Sequence, residues 1–281
     1  MVTLRLTTVL ALILVAGCNE GEAARIAQDH IVREHIPRMV AVIDEDMARH
    51  KKGLTYAADR VAAGFVKAAP ERIEQEMRQV LRLIRSPKKG VSELVISPMS
   101  FMAAVDKNGV VIARDADPDK MKGMNLAEMF PQVRKALADE LSWGIGEFEN
   151  EIKGGDPSVT MIMAAPAHYK GEVVGAIALG IPMWRLAQRL SKQLQAESSR
   201  KGIVLWVYVY RDSTLFHHGT PPDLDLLVPD QKARRAGLSK SPKGFTGAVS
   251  QYGFEYGFAV HPIPLLGKDA GIIIFRMDPN V

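Results

Sequence analysis

Two segments of the chain share one spacing. APAHYKGEVVGAIALG (165–180) and HPIPLLGKDAGIIIFR (261–276) both follow P-x4-G-x3-G, and their fixed residues Pro166, Gly171, Gly175 and Pro262, Gly267, Gly271 lie 96 positions apart. Each segment ends in an apolar run of strand character. Each is preceded by a strand, a turn and a second strand. In the first copy these are Ser100–Val105, the turn Asp106-Lys107-Asn108-Gly109, and Val110–Arg114. Asn-Gly between apolar runs is a hairpin signal, because glycine supplies the positive φ of the tight turn. In the second copy they are Ile203–Tyr210, Arg211-Asp212-Ser213 and Thr214–His218, with a further hairpin over Phe245–Ser250 and Phe254–His261. A chain with this pattern folds as a structural duplication of small antiparallel sheets, each needing cover on one face.

Between these points the first copy carries the polar loop DADPDKMKG and a helical stretch over Leu126–Leu141. It continues with a hairpin over Glu147–Ile152, Lys153–Pro157 and Val159–Ala165, and a last hairpin from Pro166 through Lys170-Gly171 to Ile181. Met183–Ser198 reads as a linking helix. Upstream, residues 22–86 read as helix, with Ile26, Val32, Ile36, Val40 and Ile43 at helical spacing. Pro37 and Gly53 predict interruptions. Pro70 predicts a new start, with Glu71 and Glu74 at the positive end of the helix ERIEQEMRQVLRLIR.

The first eighteen residues, MVTLRLTTVLALILVAGC, are of another kind. Arg5 precedes an apolar run too short to span a bilayer, as in a secretory signal. Cys18 is the single cysteine of the chain. One cysteine forms no internal disulfide, and CxxC zinc sites, iron–sulfur clusters and CxxCH haem attachment are excluded. Leu14-Val15-Ala16-Gly17-Cys18 resembles a bacterial lipobox. That resemblance implies removal of residues 1–17, acylation of Cys18, and a folded part tethered outside the cytoplasm. Several acyl chains make a stable anchor where one is marginal. Asn19, in place of an aspartate, leans toward the outer membrane. The 36 basic and 32 acidic residues are scattered along the chain, so no nucleic-acid partner is expected.

FMAAVDKNGVVIARDADPDKMKGMNLAEM resembles the opening of a Cache domain, an extracytoplasmic PAS-like sensor module. The residues carrying the likeness are Asp106, Gly109, Gly123, Pro166, Gly171 and Gly175. The order of long helix, sheet module, linker helix and second module is similar to the double-Cache arrangement. The resemblance implies an α+β fold: an N-terminal helical region (18–97), a membrane-distal module (98–182), a linker helix (183–199) and a second module (200–281). It implies a small-molecule ligand in the first module and a sensor kinase or another envelope protein as the partner that reads it. The amine-binding P-Y-x-D pattern of related modules is replaced by Pro166-Ala167-His168-Tyr169, which lacks the acid.

Candidate ligand residues follow. Eight methionines lie between Met99 and Met183, and read either as core filling or as an adaptable apolar pocket. Phe101, Met161 and Met163 are expected to share a sheet face, with Trp143 and Phe148 approaching from the next segment. Arg114 ends a strand, either solvated or forked onto a carboxylate. His168 and Tyr169 either face the pocket or are exposed in the hairpin. His217 and His218 are neighbours whose side chains diverge in a strand, so no metal is expected there. Lys232-Ala233-Arg234-Arg235 reads as a solvated helix face or a headgroup contact. No G-x-S-x-G, HExxH or Walker A signature is present, so neither an enzyme nor a cofactor is expected. The alternative to a sensor is an envelope scaffold that has lost ligand binding.

Overall fold

The structure, a computed structural model, describes residues 21–149, 158–198, 202–251 and 253–278. Cys18 and its lipobox lie outside the described residues, as does the turn expected at Lys153–Pro157. The described residues fall into two compact units. One is Ile43–Leu186; the other joins the residues up to Val42 with those from Ala187 onward.

The fold is α+β. A helical segment at 21–30 continues through a π-helical turn, Ile31–His35, into helix α1 (Ile36–Lys67). Pro37, expected to bend or break the helix, does not end it. Pro37 has no N–H to give, and the widened turn just before it absorbs the mismatch, with Ile36 N–H donating to Ile31 O. Gly53 does not interrupt α1 either. A Cβ there would stand 2.7 Å from Leu94 Cγ, so the glycine admits the helical turn Ser92–Val95 against α1. Helix α2 (Ile73–Ile84) follows Pro70, with Met77, Leu81 and Ile84 buried on one face.

In the unit Ile43–Leu186, strands β1 (Phe101–Asp106), β2 (Val111–Arg114), β3 (Ser142–Phe148), β4 (Ser158–Tyr169) and β5 (Glu172–Pro182) form one antiparallel sheet of order β2-β1-β5-β4-β3. Both faces are covered. One carries Phe101, Ala103, Val105, Ile162, Ala164, Ala176 and Ala178, packed under Leu126, Phe130, Val133 and Ala136. The run of alanines lets a short helix, α3 (Pro131–Leu137), lie close on the strands. The other face meets α1: a Cβ on Gly175 would lie 2.7 Å from the Phe65 ring.

Two expectations about local structure are corrected. The helix expected over Leu126–Leu141 is two pieces, Leu126–Met129 and α3, because Pro131 pushes Phe130 into extended backbone (φ −129°, ψ 116°). Strand β3 begins at Ser142 rather than Glu147. Its Gly144 and Gly146 weaken the strand signal, yet Gly146 makes room for the core: a Cβ on it would lie 2.5 Å from the ring of buried Phe130.

Helix α4 (Met183–Ser198) leads to the second sheet. Strands β6 (Val204–Arg211), β7 (Thr214–Phe216), β8 (Phe245–Gln251), β9 (Phe254–Pro262) and β10 (Ala270–Met277) have the order β7-β6-β10-β9-β8, the same arrangement as the first sheet. The register refines the repeat seen in sequence. Gly175 pairs with Ala167 and Asp106, and Gly271 with Pro262 and Tyr210. Gly175 faces α1, whereas Gly271 lies on the covered side with Ile273 and Phe275. Since Pro166 pairs with Ala176 and Pro262 with Gly271, Pro262 stands where Pro166 does, and Gly271 where Ala176 does, one step from Gly175.

On one side of β6, Tyr208 and Tyr210 are fully buried with Phe258 and Phe275. Tyr208 Oη donates to Asp225 Oδ1 at 2.9 Å, and burial together with that carboxylate raises its pKa strongly. Arg234, expected in solvent, is buried on helix α5 (Gln231–Lys240). It stacks 4.6 Å from the Tyr210 ring centroid and donates to Pro229 O at 2.5 Å and to Asp212 O. The guanidinium is accepted inside because carbonyls and an aromatic face replace part of its hydration. Its neighbour Arg235 is exposed and reaches Asp269 at 2.8 Å.

Candidate functional site

The helix-covered face of the first sheet holds a cavity of about 520 Å³. Its floor is Phe101 on β1. Phe101 stands opposite Gly180, and a Cβ on Gly180 would reach 2.1 Å from the Phe101 ring. Glycine there is what lets the ring lie across β5. Phe148, at the end of β3, meets Phe101 edge-on at 5.7 Å and Phe130 at 4.9 Å. Met121 and Met124 complete the apolar lining, and Ser100, Ser158, Thr160, Lys120 and Glu149 add polar groups.

Arg114 is the last residue of β2, and its side chain lines the same cavity. Its Nε is buried, and among the described residues no acceptor reaches it. A buried guanidinium N–H without a partner costs free energy on the order of 1–3 kcal/mol or more, so an acceptor placed in the cavity beside it would satisfy that donor. The backbone fixes it there. Arg114 N–H donates to Asp119 Oδ2 at 2.8 Å, and Asp119 Oδ1 takes the N–H groups of Met121 and Lys122, each at 3.0 Å. Asp119 is thus the hub that folds the segment after β2 into the cavity wall. A pocket of this size, mostly apolar with a few converging polar groups, suits a small metabolite.

Of the eight ligand candidates named from sequence, the structure brings Phe101, Arg114 and Phe148 to this cavity. Met161 and Met163 are on the other face. Met161 pairs with Ile181 and Met163 with Leu179, whereas Phe101 lies over Gly180. The expected shared face is one residue out of parity, and Met161 instead lies near Ile43, Met47 and His50 of α1. Trp143 points away from the cavity residues of β3, partly exposed, with Lys51 Nζ 3.5 Å from its ring centroid. His168 Nε2 lies 2.5 Å from Asp139 Oδ1 at the exposed end of β4. Tyr169, beside it, is also exposed, under Lys170. His217 and His218 diverge, the first toward Asp225 (3.1 Å) and the second toward Gln188 (2.8 Å).

Lining residues not singled out in the sequence are Ser100, Lys120, Glu149, Ser158 and Thr160, with Met121 and Met124 noted there only as members of the methionine group. The loop DADPDKMKG was the available signal: a polar segment between a strand and a helix, with Met121 inside it and Met124 directly after it.

No protein-family profile matches the chain, and no curated protein matches it. Solved structures do. The sensor domain of the Vibrio cholerae histidine kinase DctB matches with a TM-score of 0.55 at 13% identity, covering 92% of this chain and 99% of that one. The ligand-binding domain of the Campylobacter jejuni chemoreceptor Tlp3, in complex with L-valine, matches with a TM-score of 0.53 at 9% identity, covering 96% of each chain. At such identities the likeness is one of fold. That shared fold is a long N-terminal helix and two antiparallel five-stranded sheets, the arrangement that the Cache resemblance implied.

Proposed function

We propose that the chain is a lipid-anchored, extracytoplasmic sensing module that binds a small molecule in the cavity of its first sheet and passes the bound state to a partner protein. Residues 1–17 are its signal peptide and Cys18 its lipidation site. Residues 98–182 form the ligand module, 183–199 the linker helix and 200–281 the second module. It acts as a binding protein rather than an enzyme, and the reader of its state is a sensor kinase or another envelope protein.

The observation that carries this reading is Arg114: a buried guanidinium N–H without an acceptor among the described residues, beside the Phe101–Phe148 pair in a cavity of metabolite size. Arginine's planar fork matches a carboxylate, and the apolar lining fits a hydrocarbon body. The acid missing from Pro166–Tyr169 has a counterpart in Glu149 at the cavity, which gives an ammonium group a place. Similarity to a histidine-kinase sensor domain and to a chemoreceptor domain holding L-valine supports the same reading. A ligand shifts such a module only through its different affinity for two states.

The test is thermal-shift screening of the chain freed of its first eighteen residues against amino, hydroxy, keto and simple carboxylic acids. A ligand at 100 times its Kd contributes about 2.7 kcal/mol, which raises Tm by several degrees. The reading expects such a rise in wild type and its loss in Arg114→Gln. A panel without any rise counts against it.

A further inference from the structure

The rim of the cavity is held by charges. After β2 the chain places Asp115, Asp117 and Asp119 at every second position. Arg78, Arg82 and Arg85 stand at i, i+4 and i+7, on one face of α2 and its C-terminal cap. The two rows interlock. Arg85 pairs with Asp115; Arg78 and Arg82 both pair with Asp117. Arg78 also stands 3.8 Å from Asp119, and Lys122 Nζ reaches Glu74 at 2.5 Å. The acids are not equivalent. The side chains of Asp115 and Asp119 are only 1% and 3% exposed. Each also holds backbone: Asp115 takes Met102 N–H in β1 at 3.0 Å, and Asp119 takes three amides of the rim. Asp117 is 55% exposed and pairs with two arginines of α2.

Resting on the sensing role above, we infer that this arginine–aspartate row is a latch governing access to the cavity. The rim segment 115–120 turns on Asp115 and Asp119 as fixed points. It opens when half-exposed Asp117 separates from Arg78 and from half-exposed Arg82. Between Asp115 and Lys120 the rim buries no large apolar side chain, so charge pairing, not packing, sets how often it opens. Pairs exposed to this degree are screened by salt. Because the arginines belong to α2, opening or closing of the rim is also felt by that helix, which gives occupancy of the cavity a path out of it.

The experiment combines hydrogen exchange with dye capture on the full folded chain. The variants are Asp117→Asn, chosen because its side chain is half in solvent and its loss spares the core, and Arg114→Gln. The latch predicts that amide exchange over 116–120 rises about fivefold in wild type between low and high salt, while the Met121 and Lys122 amides held by Asp119 stay protected. In Asp117→Asn it is already raised at low salt, with the salt dependence gone and strands β4 and β5 unchanged. The probe is anilinonaphthalene sulfonate, an aromatic anion. Its stopped-flow capture and release are expected to speed up together in Asp117→Asn. If dye binding requires Arg114 but Asp117→Asn changes neither rim exchange nor rates, the latch is overturned and the cavity stands. If dye binding ignores Arg114→Gln, the cavity reading fails and the latch falls with it.

Discussion

Single residues set the cavity's shape more than their composition suggests. Gly180 is an example: its missing Cβ is what allows Phe101 to form the floor. Gly180→Ala forces the ring off its present rotamer, and an overpacked core of this kind loses about 1–3 kcal/mol, read as a lower urea midpoint with unchanged m-value. A second residue-scale prediction concerns Glu93. The Ser92 hydroxyl, its own backbone N–H and Lys52 hold its pKa down, from 4.5 to about 2. A carboxyl with a depressed folded-state pKa contributes stability that is complete above the unfolded value. That contribution is lost as pH falls toward the folded one. The stability of wild type therefore declines between pH 4.5 and 2 more steeply than that of Glu93→Gln, a difference measurable by urea titration across that range. Arg114 and Phe148 were legible from strand ends and aromatic placement. Glu149 and Thr160 were not, because a lone polar residue at a strand margin looks the same whether it faces solvent or a cavity.

At the scale of elements, the strands and the long helix were readable, and the faces were not. Met161 to Ala165 is apolar at every position, since β4 is covered on both sides. Period-two alternation is then absent, and nothing in the sequence decides which half of the strand meets the cavity. That is why Met161 and Met163 were assigned the wrong face. The latch was hidden for a different reason: its two rows lie 30–39 residues apart. An acidic loop and a basic helix read separately as solvated surface. Helix α2 itself is anchored by Leu81, fully buried. Leu81→Ala is expected to cost about 2–5 kcal/mol and to raise hydrogen exchange across the rim, since the arginine row moves with the helix. A loss below about 1 kcal/mol with an undisturbed rim contradicts that placement.

For the whole molecule, the repeat in the sequence corresponds to a repeat in topology, two sheets with one strand order, in which Pro166 and Pro262 match while Gly271 stands one step from Gly175. The second sheet fills the corresponding side with Tyr208, Tyr210 and buried Arg234, a difference the sequence did not announce because Arg234 sits in a basic run. The first sheet therefore bears the binding role in this account. The anchor belongs to this scale too. Expressed with its leader in a diderm bacterium, the chain is expected to incorporate labelled palmitate and to sediment with membranes. Cys18→Ser is expected to do neither; acylation of that variant removes the anchor at Cys18.

The most direct test of the central claim uses the methionines that the two faces of the first sheet divide between them. With 13C-labelled methionine methyls, addition of an acid that raises Tm is predicted to shift Met121 and Met124 strongly and to leave Met161 and Met163 nearly still. In Arg114→Gln neither pair is predicted to move. Shifts confined to Met161 and Met163, or equal shifts in the variant, place the ligand elsewhere and contradict the account.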